Sequence, residues 1–398
     1  MNRLLLISFG LLSLNFVNKT YAQTKKDSIE VTVTPFASLR GHLAVYEKEA
    51  ELQENITRVG GSVNIKKGNF TFIAATELHL NLFEGGASFN VDGNNTNEFL
   101  DIETVQNHRT FNNRLGYIGF DLNKYGTFTF GKQWSVYYDV TGYTDFFYVF
   151  GGTASATYVG GTDGGASGTG RASQSAIYRN KIGDFHVGAQ AQMRGGNNGK
   201  FIDGYGFSAQ YNFLNDFFIG ASFNKVFLNK ELIDQKKIIG LDGEPTYFAG
   251  GFKYQGKNLY ISTVGVIQRN GDFAQGSFTN AENQIIQPTV VFNAKGLELY
   301  ANYNFDEIGI YGGYNYYKPE VKNLVTENNQ DPISPKFEIS TAIVGFTYQP
   351  MKFITVYGEQ RFAFGKTAMN LKTPNVFALG LRIDVSKSFS SKIPISSN

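Results

Sequence analysis

Segments of about ten residues in which apolar and polar side chains alternate recur along the chain. In "LELYANYNF", residues 297–305, the odd positions are mostly apolar, whereas Glu298, Asn302 and Asn304 lie at even positions. The segments 70–83 ("FTFIAATELHLNLF") and 377–385 ("FALGLRIDV") alternate in the same way. Because successive side chains of a strand point to opposite faces, this period of two predicts β-strands with one apolar and one polar face.

The N-terminus predicts an exported protein. Arg3 is followed by an apolar run over residues 4–17 and then by Thr20-Tyr21-Ala22, with small residues at the positions typical of a cleavage site. We interpret residues 1–22 as a secretory signal peptide. The run is too short to span a bilayer, and no later stretch approaches ~18 consecutive apolar residues.

Composition argues against several functional classes. The chain has 398 residues, a formal net charge of +2, no Cys and four His. A net charge this close to zero gives no electrostatic reason to expect nucleic acid as a partner. The absence of Cys excludes disulfides and thiolate ligands, and the four His are scattered singly, so neither a metal site nor another cofactor is expected.

The orientation of the two strand faces favours a membrane barrel. In a soluble barrel the apolar faces would have to fill the interior, and a closed sheet of this many long strands is too wide to fill. In a membrane barrel the apolar faces meet lipid, the polar faces line a wet lumen, and closure satisfies every backbone hydrogen bond. We therefore predict an all-β, transmembrane antiparallel barrel of about 16 strands, formed as one domain by residues 23–398 in the outer membrane.

The predicted strands are connected alternately by short turns and long loops, as is typical of outer-membrane barrels. The strands are predicted at 30–46, 54–66, 69–84, 112–122, 125–132, 173–181, 184–194, 204–213, 216–225, 245–254, 257–267, 289–305, 308–318, 337–349, 352–364 and 375–385. The long loops are predicted at 85–111, 133–172, 226–244, 268–288 and 319–336. Trp134 and the many Phe and Tyr at strand ends are interpreted as interfacial girdles.

The stretch from Arg114 to Asn180 carries a resemblance. It contains "RLGYIGFDLNKYGTFTFGKQWSVYYDVTGYTDFFYVFGGT" and, after a Gly-rich segment, "GRASQSAIYRN". These ordered landmarks, over roughly 65 residues, resemble the trimeric general-diffusion porins of enterobacterial outer membranes. Beyond this stretch the chain is similar to the family only in strand pattern and loop alternation.

The resemblance implies a constriction loop at 133–172 that folds into the barrel and sets a transverse field between acidic and basic residues. It places Asp145 at the first acidic loop position, Arg58 and Arg114 in the basic ladder, and Arg171 at the far end of the loop. Strand alternation independently points Arg58 into the lumen and adds Arg40, which shares a face with Ser38 and His42. The family also implies a homotrimer, with loop 85–111 as a latch onto a neighbouring subunit.

The chain departs from the family pattern at three places. Val149 stands where the family has a second acidic loop residue, and Tyr148 replaces the neighbouring Pro. The loss of one carboxylate predicts weaker cation preference or weak anion preference, although Asp163 could restore negative charge. The C-terminal Phe of the family is absent: the last strand is expected to end near Val385, with a tail beyond it.

The predicted function is passive diffusion of small hydrophilic solutes and ions through an outer-membrane channel, without catalysis. Two alternatives stay open: a channel selective for anions such as phosphate or for sugars, and a non-conducting structural or adhesive barrel. A hydrolase is disfavoured because no Ser-bearing motif accompanies His79 or His186. The segment "GGTDGGASGTG" lacks the Lys-Ser/Thr ending of a phosphate-binding loop.

Overall fold

The structure, a computed structural model, describes residues 28–82, 110–151, 164–196, 199–229, 238–280, 282–321 and 330–394. The predicted signal peptide, the latch loop up to residue 109 and Asp163 lie outside these ranges. Within them, no helix is long and apolar enough to cross a membrane. The helical elements of the described ranges are a 3₁₀ turn at Asn123–Tyr125 and α1 at Tyr138–Thr141.

The described strands are β1 (Ser28–Tyr46), β2 (Glu49–Glu54), β3 (Arg58–Lys67), β4 (Phe70–Leu80), β5 (Phe111–Asp121), β6 (Thr127–Trp134), β7 (Arg171–Ile182), β8 (Phe185–Gln192), β9 (Gly204–Phe213), β10 (Phe217–Val226), β11 (Ile238–Ile239), β12 (Thr246–Gln255), β13 (Leu259–Gln275), β14 (Phe278–Thr279), β15 (Ile285–Ile286), β16 (Thr289–Phe305), β17 (Ile308–Glu320), β18 (Ile339–Met351), β19 (Ile354–Ala363), β20 (Val376–Ser386) and β21 (Phe389–Pro394).

Sixteen of these strands form a closed antiparallel barrel, which confirms the predicted fold class. The circuit runs through β1, β3 to β10, β12, β13 and β16 to β20, each strand paired with the next. Pairing of β20 with β1 closes the ring and places Arg382 opposite Arg40. Every predicted strand overlaps one strand of this circuit. Closure leaves no free sheet edge among the sixteen described strands of this circuit.

The apolar strand faces point outward, as the alternation predicts. On β16, Leu297 and Leu299 are each 42% exposed, whereas Glu298 between them is 1% exposed. On β20, Leu379 and Leu381 are exposed and Ala378 is buried. A soluble fold would bury these leucines, so the exposure pattern is that of a sheet whose outer face meets lipid.

Aromatic residues cluster where the strands meet the short turns. The turns lie at 68–69, 122–126, 183–184, 214–216, 256–258, 306–307 and 352–353. Ring pairs beside them include Phe128–Tyr178, Phe185–Tyr211 and Phe217–Tyr254, each with centroids 4.7 Å apart. Such a band suits the membrane–water interface, where amphipathic rings are favoured.

The tail beyond Val385 is also paired, which the sequence did not predict. β21 lies antiparallel to the first part of β1, with Phe389 opposite Val33 and Ile393 opposite Ile29. β1 is 19 residues long and pairs with β3 through its N-terminal part. The opposite edge of this N-terminal part pairs with β21, which binds backbone amides and carbonyls of β1 that would otherwise be unpaired.

The outward orientation of β16 predicts a strong contrast between two substitutions on this strand. Leu299→Arg should lower the free energy of unfolding by about 2–4 kcal/mol, the cost of Arg facing lipid near the midplane. Asn302→Arg, a matched change on the lumen face nearer the short-turn end, should cost far less. Urea unfolding in lipid vesicles checks both, and equal losses would contradict the assigned orientation.

Candidate pore constriction

The residues that follow β6, 135–151, are here called the inner segment. The segment begins with Ser135, whose amide donates to the Gly170 carbonyl at 2.8 Å. The Ser135 hydroxyl accepts from the Tyr138 amide at 3.0 Å, at the start of α1. The segment then contacts inward-facing side chains of successive strands.

The first half of the inner segment is fixed by side chains of β7, β9 and β13. Asp139 accepts from Nε and Nη2 of Arg179 at 3.1 and 2.9 Å, and from the Ser208 hydroxyl at 2.9 Å. The Tyr143 hydroxyl donates to Gln210 at 2.7 Å, and its carbonyl accepts from the Tyr260 hydroxyl at 2.7 Å. These charge-assisted and neutral bonds hold the segment to the wall over about a third of the barrel circuit.

Two buried wall carboxylates fix the second half. Glu298 on β16 accepts from the Thr144 hydroxyl. Glu359 on β19 accepts from the backbone amides of Val149 and Phe150. The inner segment therefore follows the inner wall from β7 to β19.

Aromatic rings fill the space between these anchors. Phe146 lies 4.8 Å from Tyr260, Phe147 lies 5.0 Å from Tyr300, and Tyr148 lies 4.8 Å from Tyr357, all measured between ring centroids. The wall tyrosines belong to β13, β16 and β19. This packing leaves Phe146 48% exposed on the side away from the wall.

A cavity of about 270 Å³ separates the inner segment from the opposite wall. Its lining combines four guanidinium groups with one carboxylate, a net formal charge of +3. The lining residues are Arg40, Asn55, Arg58, Arg114, Trp134, Tyr138, Asp145, Phe146, Phe147, Tyr148, Val149, Gly151 and Arg382.

The four arginines come from β20, β1, β3 and β5, which lie within five consecutive strands of the closed ring, and they have different partners. Arg114 Nε lies 2.7 Å from Glu77 Oε1, and Arg58 Nε lies 3.8 Å from the same oxygen. Arg382 Nε lies 2.6 Å from Asp384. Arg40 donates from Nε to the Ser38 hydroxyl at 2.7 Å and, among the described residues, forms no ion pair within 4.0 Å.

Like charges are placed side by side in this wall. Arg40 and Arg382 are register partners on adjacent strands, an arrangement that is normally destabilising. Asp384, whose carboxylate lies beside Arg382, offsets part of this repulsion. A repulsive pair that faces open space concentrates positive potential there.

Asp145 supplies the negative side of the cavity. It accepts from the Tyr138 hydroxyl at 2.6 Å, and the Tyr138 ring stacks on Trp134 with centroids 4.0 Å apart. The carboxylate is exposed at the surface of the inner segment. The cavity thus has a mainly basic wall and an aromatic wall that carries one acid.

The structure brings together four of the five residues singled out from the sequence: Arg40, Arg58, Arg114 and Asp145. Arg171 lies outside the lining: it is buried, with its guanidinium carbon 5.6 Å from the centroid of the Trp134 ring. Arg382 was missed as a site residue, although the alternation of "FALGLRIDV" already put it on the polar face.

The assignment of Trp134 to an interfacial girdle is wrong. Its ring lies inside the barrel, against Tyr138 and in the cavity lining. β6 ends at Trp134, and the pairing of β6 with β7 shifts register between Gly131 and Gln133. Strand alternation therefore no longer fixes the direction of a side chain at this position.

The two amides bound by Glu359 predict a measurable difference between two substitutions. Glu359→Ala leaves the Val149 and Phe150 amides without their acceptor, at a cost of about 1–3 kcal/mol. Hydrogen exchange at these amides should accelerate about five- to hundredfold. Glu359→Gln keeps an acceptor oxygen and should change exchange less. Unchanged exchange in Glu359→Ala would show that the anchor does not hold the segment.

Comparison with known proteins agrees with this architecture. Residues 20–368 match the family described as Gram-negative porin. Outer membrane protein F of Serratia marcescens is 28% identical over 268 residues, which are 62% of this chain and 66% of that protein, just under two thirds of its length.

Solved structures show the same fold at lower identity. OmpF of Salmonella typhi, in a complex with daunomycin, superimposes with a TM-score of 0.65 at 17% identity and covers 90% of this chain and 98% of its own. The trimer form of OmpT, an outer membrane protein of Vibrio cholerae, gives a TM-score of 0.57 at 16% identity, with 89% and 99% covered. Since the family match spans most of the chain and the barrel closes with 16 strands, the chain belongs to the Gram-negative porin family of outer-membrane channels, which are not enzymes.

Proposed function

We propose that this porin lets small hydrophilic solutes and ions diffuse passively, that the inner segment sets the size limit, and that the charged cavity sets ion preference. The observation that carries the proposal is the cavity itself, in which a basic wall faces a segment bound along the opposite side of the barrel. A charged lining at a narrow point acts on ions at close range.

The charge balance favours weak anion preference. The lining carries a net +3, while Glu77 and Asp384 lie behind Arg58, Arg114 and Arg382 and offset part of that charge. Counting these two carboxylates leaves a net charge of +1 around the cavity. Repulsion of a cation by the arginines should outweigh its attraction to Asp145, so chloride should pass more readily than potassium.

A solute passes this cavity by diffusion down its concentration gradient, without energy input. Guanidinium donors and the Asp145 carboxylate on opposite sides of the cavity would orient water that fills it, so an uncharged apolar solute would have to disrupt this water. Small polar solutes exchange hydrogen bonds with the same groups as they pass. The arrangement therefore selects by size and polarity as well as by charge.

Assembly and export complete the proposal. We infer a homotrimer in outer-membrane lipid, supported by the family match and by the trimer form of the Vibrio relative. Loop 85–111 is proposed as the latch between subunits, and residues 1–22 as the signal peptide. On SDS gels without cross-linking, the unheated folded protein should migrate as a trimer, and boiling should convert that band to the monomer.

Uptake of neutral sugars of graded size into proteoliposomes tests the channel most simply. Monosaccharides should enter much faster than tri- and tetrasaccharides because the narrow cavity excludes larger solutes. Liposomes that contain folded, heat-modifiable protein but exclude even monosaccharides would overturn the channel proposal and favour a plugged structural barrel.

A further inference from the structure

The cavity of the constriction has two chemically distinct faces. One face carries the guanidinium groups of β1, β3, β5 and β20. The other carries the stacked pair Trp134–Tyr138 and the rings of Phe146, Phe147 and Tyr148. A passage for water and small ions needs the charges but gains nothing from a set of aromatic rings in its lining. The rings therefore call for a separate explanation.

Packing explains only part of this aromatic face. Phe147 and Tyr148 lie against wall tyrosines, and Tyr148 is only half-buried. Phe146 remains 48% exposed and lines the cavity, although it also contacts Tyr260 and Tyr300. An exposed aromatic surface in a water-filled cavity has unfavourable hydration, and a flat apolar group placed against it would relieve this.

Arg40 supplies a complementary anion site on the opposite face. Its Nε is held by Ser38, which orients the guanidinium group, and no described carboxylate lies within 4.0 Å of it. Arg382 is its register partner and adds a second positive charge. A guanidinium group can bind a carboxylate through two parallel hydrogen bonds, so an incoming carboxylate fits this position well.

We propose that the constriction contains a weak binding site for small aromatic monocarboxylates, with the carboxylate at Arg40 and the ring against Phe146 and the Trp134–Tyr138 pair. This inference rests on the proposed channel function and names a solute class for it. The cavity of about 270 Å³ lies just below the roughly 300–1,000 Å³ typical of drug-sized ligands, which suits a single-ring acid. Inorganic phosphate would engage only the basic face, and a neutral sugar only the aromatic one.

Two readouts test the site in the purified protein. The first is the reduction of single-channel current by benzoate, compared with acetate, phosphate and benzyl alcohol. The second is fluorescence of Trp134, the only tryptophan of the chain, which reports binding in the cavity whether or not the channel conducts. We expect saturable effects of benzoate at millimolar concentrations on both readouts, and weaker effects of the other three compounds.

Substitutions distinguish the contribution of the aromatic face to binding from that of the basic face. Phe146→Ala should weaken the benzoate effect about three- to tenfold and leave the effect of phosphate unchanged, since it removes only ring contact. Arg40→Gln should weaken the effects of both anions. Phe248→Ala, a matched loss of an exposed ring on the outer face of β12, should change neither.

The possible results distinguish this inference from the channel proposal. A silent channel whose Trp134 fluorescence still responds saturably to benzoate would overturn passive diffusion and keep the site. A conducting channel on which benzoate acts no more strongly than acetate, by current and by fluorescence, would overturn the site alone. An unchanged benzoate effect in Phe146→Ala would also contradict it.

Discussion

Replacement of Asp145, Phe146, Phe147 and Tyr148 by glycine is expected to raise single-channel conductance at least about twofold, because the conductance of a wet constriction grows with its cross-section. These four side chains line the cavity from the inner segment. The replacement keeps the chain length and the anchors on either side, from Thr144 to Glu298 and from Val149 to Glu359. The barrel should therefore remain folded while its narrowest part widens.

A matched control uses exposed residues of the loop between β19 and β20. Met369→Gly combined with Leu371→Gly removes exposed apolar side chains that do not line the cavity. Conductance of this variant should stay at the wild-type value. If the four-glycine variant, with normal heat-modifiable mobility, also conducts like the wild type, the inner segment is not the constriction.

Neutralisation of the basic wall is expected to reverse ion preference. The combined change of Arg40, Arg58, Arg114 and Arg382 to Gln leaves the carboxylate of Asp145 in the lining, with Glu77 and Asp384 behind it. The ratio of chloride to potassium permeability should fall about fivefold or more, since a unit charge about 4 Å from an ion changes its energy by about 1 kcal/mol even in bulk water. The zero-current potential in a KCl gradient measures this ratio.

Two further variants test whether the change in the permeability ratio is caused by the loss of charge. Replacement of the same four arginines by Lys keeps the positive charges and should keep the sign of the preference. Asp145→Asn removes the acid of the inner segment and should shift the potential in the opposite direction, towards anions. A potential unaffected by the four Gln substitutions would mean that ions do not pass this wall.

Strand alternation predicted most of the barrel because lipid imposes one rule on every strand. Apolar side chains must face outward, so the period of two placed Arg40 and Arg58 in the lumen without knowledge of the fold. Arg382 obeyed the same rule in "FALGLRIDV" but was not connected to the site. Its role depends on the closure of β20 onto β1, a contact between residues 342 positions apart that no local pattern contains.

Loop residues could not be placed in this way. Arg171 lies behind Trp134 instead of in the cavity lining, and Trp134 itself points inward, because both lie where regular pairing of β6 and β7 ends. The anchors Glu298 and Glu359 were also missed as site residues. Each lies on a strand and looks like any other lumen-facing acid until the inner segment is positioned over it.

At Val149, where the resemblance implies a second acidic loop residue, the structure shows a backbone contact to the wall. Val149 brings no carboxylate to the constriction, and its backbone amide is instead bound by Glu359 from the wall. Glu359 is fully buried and does not line the cavity, so its charge does not replace the missing acid there. The positive charge of the four arginines in the cavity lining therefore exceeds the negative charge of Asp145.

The zero-current potential of single wild-type channels across a KCl gradient tests the central claim most directly. We predict conductance steps in groups of three and a dilute side that is negative, because chloride passes the arginine wall more readily than potassium. A dilute side that is clearly positive would contradict the dominance of that wall. Silence from folded protein would contradict the channel altogether.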